Sequence, residues 1–131
     1  MKDTTLVYYH NMNITITGQT PAKKNSRRGA VRNGRIMNFP SKIYLEWEKD
    51  ALTQLAVKYK GCADQKVSIA YTFFVKDDRR RDVDNMVASV NDVLVKAGLL
   101  KDDSWHWLSI GAADAEIDRS NPRVELWIDE I

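Results

Sequence analysis

Hydrophobic and polar positions along the chain follow two rhythms, separated by clear punctuation. Residues 12–18 (MNITITG) alternate, with Ile14 and Ile16 on one side, which predicts a strand. Residues 66–76 (KVSIAYTFFVK) alternate more strongly, with Val67, Ile69, Tyr71, Phe73 and Val75 pointing one way. Between them the period lengthens. Ile43, Tyr44, Trp47, Ala51, Leu52, Leu55, Ala56 and Tyr59 recur at helical spacing; Ser41 after Pro40 supplies an N-cap oxygen and Gly61 a stop. A second helical run carries Met86, Val87, Val90, Val93, Leu94 and Ala97 on one face. Asp84 is its expected N-cap and Gly98 its left-handed terminator. Residues 105–116 and 123–129 predict two further strands, the latter setting Val124, Leu126 and Ile128 against charged neighbours.

That order (β, loop, α, β, α, β, β) predicts an α+β fold, a mixed sheet of about four strands with two main helices on one face. Trp47 and the nearby tyrosines read as core rather than as a stacking platform for bases. Trp105, His106 and Trp107 read as packing residues opening a strand. The 131 residues, 44% hydrophobic with four tryptophans, amount to one domain that buries a core, and pairing with a second copy would extend it. One cysteine, Cys62, excludes an internal disulfide, and with only two histidines, His10 and His106, it excludes a structural zinc site. No apolar run approaches the roughly 18 residues of a membrane span, and the opening MKDTTL lacks a signal-peptide core. A soluble, cytoplasmic protein with no membrane partner is the expectation.

The net charge of +2 hides an asymmetry. Residues 1–45 carry eight basic side chains and one acidic, a net of +7; residues 46–101 sum to +1 and residues 102–131 to −6. Between Asp3 and Glu46 no acidic residue interrupts Lys23, Lys24, Arg27, Arg28, Arg32, Arg35 and Lys42. Interspersed with Asn25, Ser26, Gly29, Asn33 and Gly34, they read as a flexible basic loop over about 20–40. Such a loop suits a phosphate backbone, since each neutralised phosphate releases condensed counterions. A solvated loop that merely aids solubility is the alternative.

The densest chemistry lies in Arg79-Arg80-Arg81-Asp82-Val83-Asp84-Asn85, with Asp102-Asp103 about one helix later. Residues two apart in an extended segment point to the same side, so Asp82 and Asp84 there present two carboxylates together. Hard cations such as Mg²⁺ take oxygen ligands and keep several waters, so two or three carboxylates suffice to hold one. Arg79, Arg80 and Arg81 supply forks that match phosphate oxygens. A metal held beside arginines that grip the scissile strand is what phosphodiester hydrolysis needs. Residues alone leave equal room for a hairpin tip with self-compensating charges.

The same segment resembles the RusA family of Holliday junction resolvases, found in bacteria and prophages. The resemblance rests on RRRDVDN at 79–85, NDVL at 91–94, KAG at 96–98 and KDD at 101–103, all at the family's spacing. It extends more loosely to the N-terminal strand, the basic loop and the following helix. It implies a homodimeric DNA endonuclease, dependent on Mg²⁺ or Mn²⁺, that resolves four-way junctions by paired nicks in recombination and repair. Carried over by position, the catalytic and metal-binding carboxylates are Asp82, Asp84 and Asp103. Asp92, in the D-x-L part of the pattern, is an additional candidate, against its simpler reading as an i,i+4 partner of Lys96. Where the family places a lysine, this chain has Ala88. Arg81, Lys23 or Lys24 would then provide the missing cation. Two other classes stay open: a junction-binding protein without catalysis, and a metal-dependent nuclease acting on flaps, RNA or single strands.

Helical geometry adds one expectation. A helix over 85–97 separates its ends by about 20 Å, and the five residues leading to Asp103 span at most about 17 Å. Asp103 therefore meets Asp82 and Asp84 more readily across a two-fold dimer, as a composite site, than within one chain.

Overall fold

The computed structural model describes residues 11–22, 27–32 and 35–131. Their order is β1 (Asn11–Thr17), β2 (Arg27–Arg32), β3 (Arg35–Pro40), α1 (Lys42–Lys58), β4 (Val67–Val75), α2 (Val83–Lys96), β5 (Leu108–Ile117) and β6 (Arg123–Glu130). Four strands form one sheet in the order β1-β6-β4-β5. β6 runs antiparallel to both β1 and β4, and β4 runs parallel to β5. The sheet is thus mixed, and the parallel pair is joined through α2, the crossover that parallel neighbours require.

Register explains why one face is buried. Ile14 pairs with Leu126 and Ile16 with Val124; Ile69, Tyr71 and Phe73 pair with Ile128, Leu126 and Val124. All lie on one side and are buried, and they share one core with Tyr44, Trp47, Ala51 and Leu55 of α1 and Met86, Val90, Val93 and Leu94 of α2. Both helices therefore cover that face, as the alternation and the helical periodicity predict.

The ends of α1 follow the expected chemistry. Tyr44 N–H donates to the Ser41 hydroxyl (3.1 Å), and the backbone past Tyr59 turns at Gly61, φ 99°. α2 closes on a Schellman motif: Gly98 N–H donates to Val95 C=O, and Leu99 N–H to Leu94 C=O. Gly98 has φ 77°, where a Cβ is disfavoured, and Leu94 and Leu99 are both buried beside the turn.

Three expectations change. The basic segment is not a structureless loop: β2 and β3 form an antiparallel hairpin, with Arg32 opposite Arg35. An Asn-Gly pair lies between them in sequence, a strong hairpin signal that charge density obscures. α2 starts two residues earlier than predicted: Asp82 is the N-cap and Asp84 lies in the first turn. Residues 105–107 precede β5 rather than opening it. There Trp105 is exposed and stacks on His106 at 4.1 Å, outside the core.

Candidate metal and nucleic-acid site

The loop leaving β4 is shaped by one ion pair. Asp77 accepts from Arg79 N–H at 3.1 Å, and its carboxylate lies 2.7 Å from the Arg81 guanidinium. Arg81 also donates to the carbonyls of Asp77 and Arg79, each at 3.1 Å. Its side chain is only 14% exposed. The Arg81 hydrogen bond, with help from the Arg79 amide, holds the Asp77 carboxyl below its ordinary range. Arg81 is thus occupied within the loop, whereas Arg79 and Arg80 are exposed.

Asp82 and Asp84 meet around Asn85. Asn85 Nδ2 donates to Asp82 Oδ2 at 3.3 Å, and Asn85 N–H donates to Asp84 Oδ1 at 3.0 Å. Arg80 lies 3.5 Å from Asp82 Oδ1. Strand alternation is therefore not what relates the two carboxylates; the N-cap and first turn of a helix do, where the macrodipole also favours negative charge. Asp84 is exposed and Asp82 partly so. Oxygen donors in that setting match a hard divalent cation rather than a soft one.

The middle of α2 and the loop leaving β4 are both fastened to the segment that follows β1. Ser89 Oγ, fully buried, donates to Pro21 C=O at 2.6 Å, and Lys76 N–H donates to Gln19 Oε1 at 2.9 Å. The basic segment consequently departs from beside the middle of α2. Lys23 and Lys24 lie outside the described residues. Arg27, Arg28, Arg32 and Arg35 are placed by the backbone of the β2–β3 hairpin.

Ala88 is exposed on α2, one turn after Asp84. Asp92 belongs to a different network: it accepts from Tyr44 O–H at 3.0 Å and pairs with Lys96 at 3.2 Å, while Lys96 reaches Glu48 at 2.8 Å. It clasps α1 to α2. Burial first, then the Asp92 and Glu48 charges, push the Tyr44 phenol above its ordinary value. This cross-helix role is absent from a reading of i,i+4 spacing, because the partner lies 48 residues away.

Asp103 is exposed after the turn that ends α2. Leu99 N–H and Leu100 N–H both donate to Leu94 C=O, so the chain folds back there instead of running on. The Asp103 charge, after burial, adds to the upward shift of the Tyr71 phenol, and the Tyr71 hydroxyl donates to Asn91 at 2.6 Å. Asn91 lies two turns beyond Asp84, about 10 Å along the axis. This fold-back shortens the separation expected from an extended linker. Even so, the described residues contain no group of three His, Cys, Asp or Glu side chains placed to hold a metal ion. Also among them, no helix is long and apolar enough to cross a membrane.

Comparison with known proteins bears on this arrangement. The profile of the family described as "Endodeoxyribonuclease RusA" matches residues 19–129, which include both helices and the 79–103 segment. A curated relative from Aquifex aeolicus (strain VF5), "Crossover junction endodeoxyribonuclease RusA", is 34% identical over 85 residues. That match covers 64% of this chain and 66% of the relative. With the profile spanning most of the sequence over the fold and motif described above, the chain belongs to the RusA family of endodeoxyribonucleases.

Proposed function

We propose that the protein is a homodimeric, Mg²⁺-dependent endonuclease that resolves four-way DNA junctions by paired nicks, acting in recombination and repair. The observation that carries this reading is the pair of accessible carboxylates, Asp82 and Asp84, gathered on Asn85 at the N-terminus of α2 beside exposed arginines, in a chain of this family. Mg²⁺, or Mn²⁺ in its place, would be held by Asp82, Asp84 and Asp103. Such an ion, when bound, lowers the pKa of a coordinated water and offsets charge on the phosphate. Arg79 and Arg80 grip the scissile phosphate through bidentate hydrogen bonds. Arg81 instead fixes the loop that carries them, so the cation replacing the family lysine at Ala88 comes from Lys23 or Lys24. Those two follow Pro21, which is pinned to Ser89 next to Ala88. The hairpin arginines Arg27, Arg28, Arg32 and Arg35 track the DNA backbone and make binding salt-dependent.

The site is composite in this proposal, with Asp103 contributed by the second subunit, because one chain alone holds no three-carboxylate group among its described residues. The other arrangement is one in which a chain's own Asp103, carried on the turn that folds back after α2, joins Asp82 and Asp84. Mixing Asp84→Asn with Asp103→Asn subunits separates the two. Nicking that returns in mixed dimers establishes the shared site; mixed dimers that form and stay inactive place it within one chain.

The functional class is tested by incubating the protein with a mobile four-way junction and with linear duplex, with Mg²⁺ or with EDTA. Symmetric nicks in the junction alone, lost in EDTA and in Asp84→Asn, support a resolvase. Junction binding without any cleavage would instead establish a non-catalytic binder. Cutting of flaps, RNA or single strands would establish a nuclease of another specificity.

A further inference from the structure

The turn that leads into β5 holds an indole in water. Trp107 N–H and Leu108 N–H both donate to Ser104 C=O at 3.0 Å, and Val67 N–H donates to Trp107 C=O at 3.0 Å, so the turn is anchored to the first residue of β4. On it Trp105 is 73% exposed. The His106 ring stacks against the indole, with centroids 4.1 Å apart and 28° between planes. Lys66 Nζ lies 5.6 Å from the Trp105 centroid, and Lys101 Nζ lies 4.8 Å from that of Trp107, both within cation–π range. Leu99, Leu100 and Leu108 close the core at this end of the sheet, so burial does not explain a tryptophan at 105. An anchored turn, a backed aromatic face and two ammonium groups are what a base-stacking platform consists of.

We propose that Trp105, backed by His106 and flanked by Lys66 and Lys101, is a stacking subsite for an unpaired nucleobase of single-stranded DNA. The inference deepens the nuclease reading above and rests on it for the placement of the strand at Asp103. Asp103 and Trp105 are two residues apart, so their Cα atoms lie within about 7 Å. A stacked strand advances about 3.4 Å per nucleotide, so a base one or two nucleotides from a phosphate at Asp103 comes level with the indole. A base inside a duplex has both faces covered by its neighbours, and the platform therefore selects bases that are free. Stacking is indifferent to base identity, since every base has a π-face, so the subsite reads strandedness rather than sequence. The two lysines meet the flanking phosphates. They also offset Asp102 and Asp103, which are exposed beside the platform and would otherwise repel a strand. Trp127 shows the contrast: it is 54% exposed, but its same-face neighbours along β6 are the carboxylates Glu125 and Asp129, a setting hostile to phosphate.

Fluorescence anisotropy on the full chain provides the test, with a labelled oligothymidylate and a labelled duplex of the same length, both in EDTA so that no strand is cut. Trp105→Ala should weaken oligothymidylate binding by about 5- to 100-fold, the range that loss of one stacked base produces. Duplex affinity and its salt dependence should stay as in the wild type, because those come from phosphate contacts elsewhere. Trp105→Phe should keep most of the single-strand affinity, and Trp127→Ala should change neither. Trp105 is exposed, so its variants should fold, as melting will check. Single-strand affinity retained in Trp105→Ala overturns the subsite, and so does an equal loss of single-strand and duplex binding, which would make the ring a general DNA contact. A changed sedimentation profile in Trp105→Ala would assign the ring to a contact between chains and likewise overturn the subsite. Junction nicking with Mg²⁺, measured in parallel on the wild type, reports on the nuclease reading separately: its presence with no oligothymidylate binding sinks the subsite alone, and its absence sinks the placement of the strand at Asp103.

Discussion

Tyr71→Phe removes a single buried oxygen, and the structure states what that oxygen does. Tyr71 lies at the centre of β4, 1% exposed, and its hydroxyl donates to Asn91 Oδ1 at 2.6 Å. Asn91 is itself buried, on the inner side of α2. Phenylalanine preserves the ring and its stacking on Phe73, at 6.2 Å and 4° between planes. The loss is therefore confined to one hydrogen bond and an orphaned amide oxygen, a cost of about 1–3 kcal/mol. For a domain of this size, each kcal/mol lowers Tm by about 3–5 °C. Urea unfolding should show a lower midpoint at an unchanged m-value, because no additional surface is exposed on unfolding. Adding Asn91→Leu to Tyr71→Phe should recover part of the loss, since an apolar pair needs no donor. Stability of Tyr71→Phe within about 0.3 kcal/mol of the wild type would refute the reasoning, because the bond would then carry no net weight.

Three further outcomes follow from the same geometry. Burial raises both Tyr44 and Tyr71 above the ordinary phenol value of 10.0, so their contribution to stability is complete below pH 10 and is lost as pH rises beyond it; denaturation between pH 9 and 12 should show that decline, shallower in Tyr71→Phe. Gly98→Ala should destabilise by about 1–2 kcal/mol through backbone strain alone, measured by thermal melting, because a Cβ there meets no atom within 4 Å while φ is 77°. Ala88→Lys, at an exposed site one turn past Asp84, should raise the junction-nicking rate about tenfold or more without moving Tm, and an unchanged rate would show that another cation already fills that role.

Much of the fold is legible in the chain because it depends on local rules. The β4 alternation, the Ser41 cap and the Gly98 stop each encode their structure within a few residues. The β2–β3 hairpin was hidden because seven basic residues outweigh a weak alternation, although the Asn-Gly pair marks it. The site was legible as a motif and less so as geometry. Asp82 caps α2 instead of extending a strand, which changes how it meets Asp84. Arg81 looks equivalent to Arg79 and Arg80 in sequence, yet its guanidinium is captured by Asp77 four residues back. Asp92 looks like half of an i,i+4 pair until α1 brings Tyr44 against it. Only the Asp92 contact needs distant segments to pack; the other two are local, but they depend on how the backbone turns out of β4 and into α2, which residue spacing alone does not report.

The central claim, that Asp82, Asp84 and Asp103 together hold the divalent cation, is tested most directly by Mn²⁺ titration followed by electron paramagnetic resonance. Asp82→Asn, Asp84→Asn and Asp103→Asn should each weaken Mn²⁺ binding tenfold or more and abolish junction nicking, whereas Asp102→Asn should change neither. Wild-type affinity retained in all three variants, with nicking intact, would contradict the account.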